Sequence, residues 1–140
     1  MKKVLLLGGG GFIGYNIAKY LSEYRDYEIT IADNFFRGGG KIDLILQQLI
    51  DQYNIKIVPG DYTDPMLYKE LDSDYDYVYM LASVVSVDYV NEIPHEIIRL
   101  NTALIYNTLE WLRYSKCGSC LLYTSPSPRD QRGSRMPSSA

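Results

Sequence analysis

A run of glycines directly after an apolar run limits the folds open to this sequence more than any other feature. Val4–Gly14 reads VLLLGGGGFIG. Gly8, Gly11 and Gly14 fit G-x-x-G-x-x-G, while Gly9, Gly11 and Gly14 fit G-x-G-x-x-G, so spacing alone does not choose the register. The mechanism is the same in either. The first glycine permits a tight turn, the second lets a pyrophosphate approach the backbone, and the third lets a helix pack closely on the strand before it. The head of that helix offers unpaired N–H groups and a partial positive charge to phosphates. A flexible turn without a ligand is the alternative.

The rest of the chain keeps the same rhythm. Lys3–Leu7 reads as a strand buried on both faces. Phe12–Glu23 reads as a helix with Phe12, Ile13, Ile17, Tyr20 and Leu21 on its inner face. Glu28–Ala32 alternates and is β-branched, so it reads as a second strand, and Phe35–Gly40 reads as a loop. Lys41–Tyr53 places Ile42, Leu46, Leu49, Ile50 and Tyr53 at helical spacing. Ile55–Val58 is a third strand, stopped by Pro59-Gly60. Asp64 as N-cap and Pro65 at the first helical position open a short helix to Leu71. Tyr77–Leu81 is a fourth strand. Pro94 opens a long helix to about Tyr114, with Ile97, Asn101, Leu104, Ile105, Thr108 and Leu112 along it. Four strand–helix alternations predict an α/β fold. It is a doubly wound parallel sheet of Rossmann type, truncated after about four strands.

Two carboxylates follow strands at the edge where such folds bind ligands. Asp33 closes the second strand, about twenty residues beyond the glycines. A carboxylate there can accept from the ribose hydroxyls of NAD and would repel the extra phosphate of NADP, with Asn34 beside it, and a strand-end turn former is the alternative for Asp33. Arg37 is the one residue that argues for NADP. Asp61, after the third strand, is placed to accept from an adenine amino group, with the Tyr62 backbone or ring beside it. A helix cap or turn is the alternative for that pair.

Charge and length exclude several classes. The 140 residues carry a net charge of −3, which recruits no nucleic acid. No apolar run reaches the roughly 18 residues of a membrane span, and no targeting segment is seen, which makes the cytoplasm the default address. Cys117 and Cys120 form C-G-S-C, but no second pair completes a zinc site, and the flanking pattern is wrong for a redox pair. No metal is expected.

Composition changes abruptly at Cys120. SPSPRDQRGSRMPSSA holds three of the six prolines and has no apolar periodicity, as in a segment that cannot bury a core. Cys120–Asp130 (CLLYTSPSPRD) also reads as the in-frame translation of a transposase adapter used in sequencing libraries. Ser134–Ala140 (SRMPSSA) reads as the segment that follows its sample index. The expected organisation is an incomplete NAD-binding domain over residues 1–119 and a non-native, disordered tail over residues 120–140. Setting aside the tail's three arginines and one aspartate moves the balance from −3 to −5.

GGGGFIG, then ADN, GDYTD, VYMLAS and NTALIYNTLEWL together resemble the extended short-chain dehydrogenase/reductase family, in particular its NAD-dependent nucleotide-sugar epimerases and dehydratases. The resemblance runs from Lys3 to about Trp111. It implies that Gly8, Gly11, Phe12, Ile13 and Gly14 hold the pyrophosphate. Asp33 and Asn34 would hold the adenosine ribose, and Asp61 and Tyr62 flank the adenine. Leu81, Ala82 and Ser83 would pass along the nicotinamide, with Met80 where the family has histidine and Ser83 where it has a second alanine. Asn101 matches the asparagine of the family's N-V-x-G-T segment, with a helix-interior polar residue satisfied by solvent as the alternative, and the Val84–Val90 segment would face the sugar nucleotide.

The family's catalytic Tyr-x-x-x-Lys pair does not appear where it belongs. Tyr15-x-x-x-Lys19 has the spacing but lies directly after the glycine loop, and with 14 tyrosines a chance match is unsurprising. His95 is a lone residue at a helix start. Leu121–Ser125 (LLYTS) mimics the family's fifth strand and its Thr/Ser, but its codons match the adapter. Thr124 and Ser125 return as candidates only if the tail is genuine. No catalytic residue is therefore assigned. The resemblance implies an intact gene product that is a homodimeric nucleotide-sugar enzyme, of which this chain is an inactive, marginally stable and aggregation-prone part. A non-catalytic dinucleotide-binding sensor or interaction module is one alternative, and an NAD(P)H-dependent carbonyl reductase is the other.

Overall fold

The computed structural model describes residues 1–84 and 91–122. Five strands form one sheet: β1 (Lys2–Leu7), β2 (Tyr27–Asp33), β3 (Lys56–Pro59), β4 (Tyr77–Met80) and β5 (Ser119–Leu122). All pairs are parallel and the order is β3-β2-β1-β4-β5. Helices α1 (Phe12–Glu23), α2 (Leu44–Tyr53) and α3 (Pro94–Tyr114) carry the crossovers, with a short 3-10 segment at Pro65–Glu70. Among the described residues, no helix is long and apolar enough to cross a membrane.

Strand β1 shows why the sheet is covered on both faces. Leu5 and Leu7 enter one core, with Val58, Tyr68, Val78, Met80 and Leu104 of α3. Val4 and Leu6 enter the other, with Ile29, Ile31, and Leu46, Leu49 and Ile50 of α2. Strand β2 departs from its alternating pattern for the same reason. Ile29, Thr30, Ile31 and Ala32 are all buried, because an inner strand between two helical layers has no solvent face.

The expected inner face of α1 is corrected. Its buried residues are Gly14, Ala18 and Ser22, while Phe12 is 80% and Tyr20 60% exposed. Ile17 and Leu21 pack only at the flanks. The small stripe wins because the helix approaches the sheet too closely for large side chains. Helix α2 starts at Leu44 rather than Lys41, because the Asp43 carboxylate caps it by accepting from the Leu46 N–H (2.8 Å). Asp64 and Pro65 begin their turn as expected, with Asp64 accepting from the Met66 N–H.

The sheet has a fifth strand where the sequence promised about four. Strand β5 spans the expected native boundary at Ser119, pairing Val78 with Cys120 and Met80 with Leu122. Helix α3 returns the chain to the amino end of β4, whose outer edge has unpaired backbone groups, and the extended Ser119–Leu122 segment satisfies them. All four β5 residues are exposed. Thr124, Ser125 and the remainder of the proposed tail lie outside the described residues, as do residues 85–90.

At the amino edge of the sheet, Lys3 donates to Asp72 (2.8 Å) and Asp74 (2.7 Å), and Lys56 lies 3.7 Å from Asp72. The Lys3 ammonium holds the Asp72 carboxyl below the usual carboxylate range. A depressed folded pKa means stability that is present above the unfolded value of about 3.9 and lost as pH falls through the folded one. The Asp72 side chain is 36% exposed, so solvent screens the pair and the effect is modest. Thermal melts between about pH 7 and pH 3 are expected to show a smaller acid-induced fall for Asp72→Asn than for wild type. Parallel curves would refute the coupling.

Candidate functional site

The sheet order reverses between β1 and β4, since the chain leaves β1 toward β2 on one side and later returns to pair with β1 on the other. In open α/β sheets a crevice forms beyond the strand carboxyl ends at such a point. A cleft of ≈ 810 Å³ lies there, within the about 300–1,000 Å³ of small-molecule sites. It is walled by Gly8 and Gly10–Gly14, Ala32–Phe36, Gly60–Thr63 and Leu81–Val84. Every expected cofactor residue lines it except Asn101.

The structure resolves the glycine register. Gly8 has φ +85°, and a Cβ there would meet the Ala82 nitrogen at 2.4 Å. A Cβ on Gly14 would meet the Gly9 Cα at 2.4 Å. Gly8 therefore makes the turn, and the contact between Gly9 and Gly14 seats α1 on the loop. Gly11 differs, because a Cβ there would find only the Gly8 carbonyl, at 3.9 Å. It is the N-cap of α1, so the space beside it is where the free N–H groups of the first turn point. An anion fits that cradle.

Asp33 ties two loops together. One carboxylate oxygen accepts from the Gly10 N–H (2.8 Å) and the other from the Phe35 N–H (2.7 Å). A carboxylate has about four lone-pair sites, so capacity for ribose hydroxyls remains. Phe35 was not singled out from the sequence. It is left-handed (φ 53°) yet buried, and its ring lies against Gly10. A strained non-glycine residue beside a cleft is held there by surrounding contacts, here the Asp33 bond and the buried ring. Asn34 accepts from the Phe36 N–H (3.1 Å). The Arg37 side chain lies outside what the structure describes.

Asp61 lines the cleft and also closes a turn, accepting from the Thr63 N–H (3.0 Å) and hydroxyl (2.7 Å). The Tyr62 ring turns inward, edge-on to Tyr68, and its hydroxyl donates to the Val58 carbonyl (2.9 Å). Burial raises the Tyr62 phenol and pushes that of Tyr68 up to about 12. A proton-abstracting tyrosine needs the opposite shift, so these two serve the core. Tyr15 packs against the α1–α2 core and Lys19 is exposed. His95 is exposed at the start of α3.

Asn101 reaches the site through the backbone. Its side-chain oxygen accepts from the Val84 N–H (2.7 Å) and its amide donates to the Val84 carbonyl (3.1 Å). It thus fixes the segment Leu81–Val84 rather than touching the cleft.

The chain is 35% identical over 100 residues to UDP-N-acetyl-alpha-D-glucosaminuronate decarboxylase of Bacillus cytotoxicus, covering 71% of this chain and 29% of that protein. It is 30% identical over 126 residues to UDP-glucuronic acid decarboxylase 3 of Arabidopsis thaliana, covering 89% and 34%. The chain thus spans about a third of the length of these relatives. Among solved structures it superposes on the Bordetella bronchiseptica enzyme WbmF in complex with NAD+, with a TM-score of 0.72 at 24% identity over 86% of this chain and 35% of that one. The model of the NAD dependent epimerase/dehydratase family matches residues 4–134. With its Gly8–Gly14 loop, Asp33 and a cleft at the sheet's switch point, the chain belongs to that family, and its cofactor is NAD.

Proposed function

We propose that this chain is the cofactor-holding part of an enzyme that acts on a nucleotide-linked sugar. The observation that carries the reading is the open space at Gly11, at the head of α1 and next in sequence to Gly10, whose N–H donates to the Asp33 carboxylate. The glycine loop and the first N–H groups of α1 hold the pyrophosphate. Asp33 and Asn34 hold the adenosine ribose, Asp61 and the Tyr62 main chain border the adenine, and Leu81–Ser83 run beside the nicotinamide. Bound NAD would take a hydride from a sugar carbon. Both relatives named above act, by their names, on UDP-linked sugar acids, which supports a nucleotide-sugar substrate.

The proton-transfer machinery lies beyond residue 119 in this reading, and residues 120–140 are not native. The intact protein is a cytoplasmic homodimer that uses the outer stripe of α3, where Ile98, Tyr106 and Leu109 are exposed. Two measurements test this. Titrated with NAD, the 140-residue chain should bind it yet form no NADH when UDP-glucuronate is added. A long sequencing read across the Ser119 codon should continue into a Thr/Ser and a Tyr-x-x-x-Lys. NADH formation by the chain itself would overturn the division of labour. A frame that continues without the pair would make the protein a dinucleotide-binding module.

A further inference from the structure

The Asp61–Thr63 turn carries a tether beyond the bonds that close it. The side-chain amide of Asn107, on α3, donates to the Thr63 carbonyl (2.9 Å) and more weakly to the Tyr62 carbonyl (3.3 Å). The turn does not need this to close, because Asp61 already closes it through Thr63. What the amide adds is a link from the turn to a helix 44 residues away in sequence. Asn107 is half-buried and absent from the cleft wall, so it acts through the turn alone.

We infer that Asn107 is a positioning residue for the adenine end of the cleft. Asn101, on the same helix, holds Val84 beside the opposite end. One helix therefore sets two ligand segments through separate bonds. A primary amide suits the task at Asn107, since one NH₂ group serves two neighbouring carbonyls and a carboxylate would repel both. The inference rests on the NAD reading of the cleft.

The test is calorimetric titration of the full 140-residue chain with AMP and with NAD, well below the melting temperature of each variant. Asn107→Ala is expected to weaken both ligands by the same factor, about 10-fold for the lost amide bonds. Asn101→Ala is expected to weaken NAD and leave AMP unchanged. That split is not produced by general destabilisation, which would weaken AMP in both variants. Asn107→Asp keeps the side-chain volume, lacks the donor and adds repulsion of both carbonyls, so it should weaken both ligands at least as much as Asn107→Ala, and it stands in if the alanine variant fails to fold. AMP binding at wild-type strength in either Asn107 variant overturns this inference alone. A wild-type chain that binds neither ligand overturns the NAD reading with it.

Discussion

Gly14→Ala is expected to cost this chain a large share of its stability, whereas Gly11→Ala, three residues earlier, is expected to fold and bind its cofactor more weakly. The new methyl at Gly14 would lie 2.4 Å from the Gly9 Cα and 2.5 Å from its carbonyl oxygen. Both are backbone atoms, so no side-chain rotation relieves the overlap. Helix α1 must lift from the sheet, which opens the layer that holds Ala18 and Ser22. Overpacking of this kind costs about 3 kcal/mol, a large share of the roughly 5–15 kcal/mol that holds a domain together. At Gly11 the nearest atom is 3.9 Å away, and the backbone is in an extended conformation open to any residue. On the proposed reading the methyl there occupies only the space a pyrophosphate would need, at about 2 kcal/mol or roughly 30-fold in NAD affinity. Circular dichroism melts and NAD titrations on the two variants separate the effects. A Gly14→Ala chain that melts like wild type would sink the packing argument. A Gly11→Ala chain that binds NAD normally would sink the cradle.

The second large effect is at Asp33. Asp33→Ala removes the side-chain bonds to the Gly10 and Phe35 N–H groups, leaving the left-handed Phe35 with one restraint fewer. Charge-assisted hydrogen bonds contribute about 1.5–3 kcal/mol each. Loss of the loop geometry together with the ribose acceptor should therefore raise the NAD dissociation constant by about 100-fold or more. Asp33→Asn offers an NH₂ group to one of the two donors, so it should also weaken binding. Either variant should narrow the preference for NAD over NADP, because the negative charge that opposes the extra phosphate is gone. An unchanged NAD to NADP ratio would show that Asp33 holds the loops and does not read the ribose.

Much of the candidate cleft's lining was legible because its signals are local. The glycine run, the Asp33 that closes β2 and the Asp64-Pro65 cap each state a turn or terminus in two or three neighbouring residues. Other features depend on what meets across the sheet. Gly8 and Gly9 look alike in the sequence, and only the approach of Ala82 to one and of Gly14 to the other tells them apart. Asn107 reads as an ordinary polar residue one position from the buried Thr108 until the Thr63 carbonyl is seen beside it.

By itself, then, the sequence determined the strand–helix rhythm, both ends of α1 and α3, and the carboxylate beside the glycine loop. Periodicity and capping are written in residues close together along the chain. The tertiary structure alone decided the remainder. It turned α1 onto Gly14, Ala18 and Ser22 in place of its larger residues, since contact distance sets the side-chain size an interface admits. It laid Ser119–Leu122 along β4, since an open strand edge accepts an extended segment by its backbone, whatever the origin of its side chains.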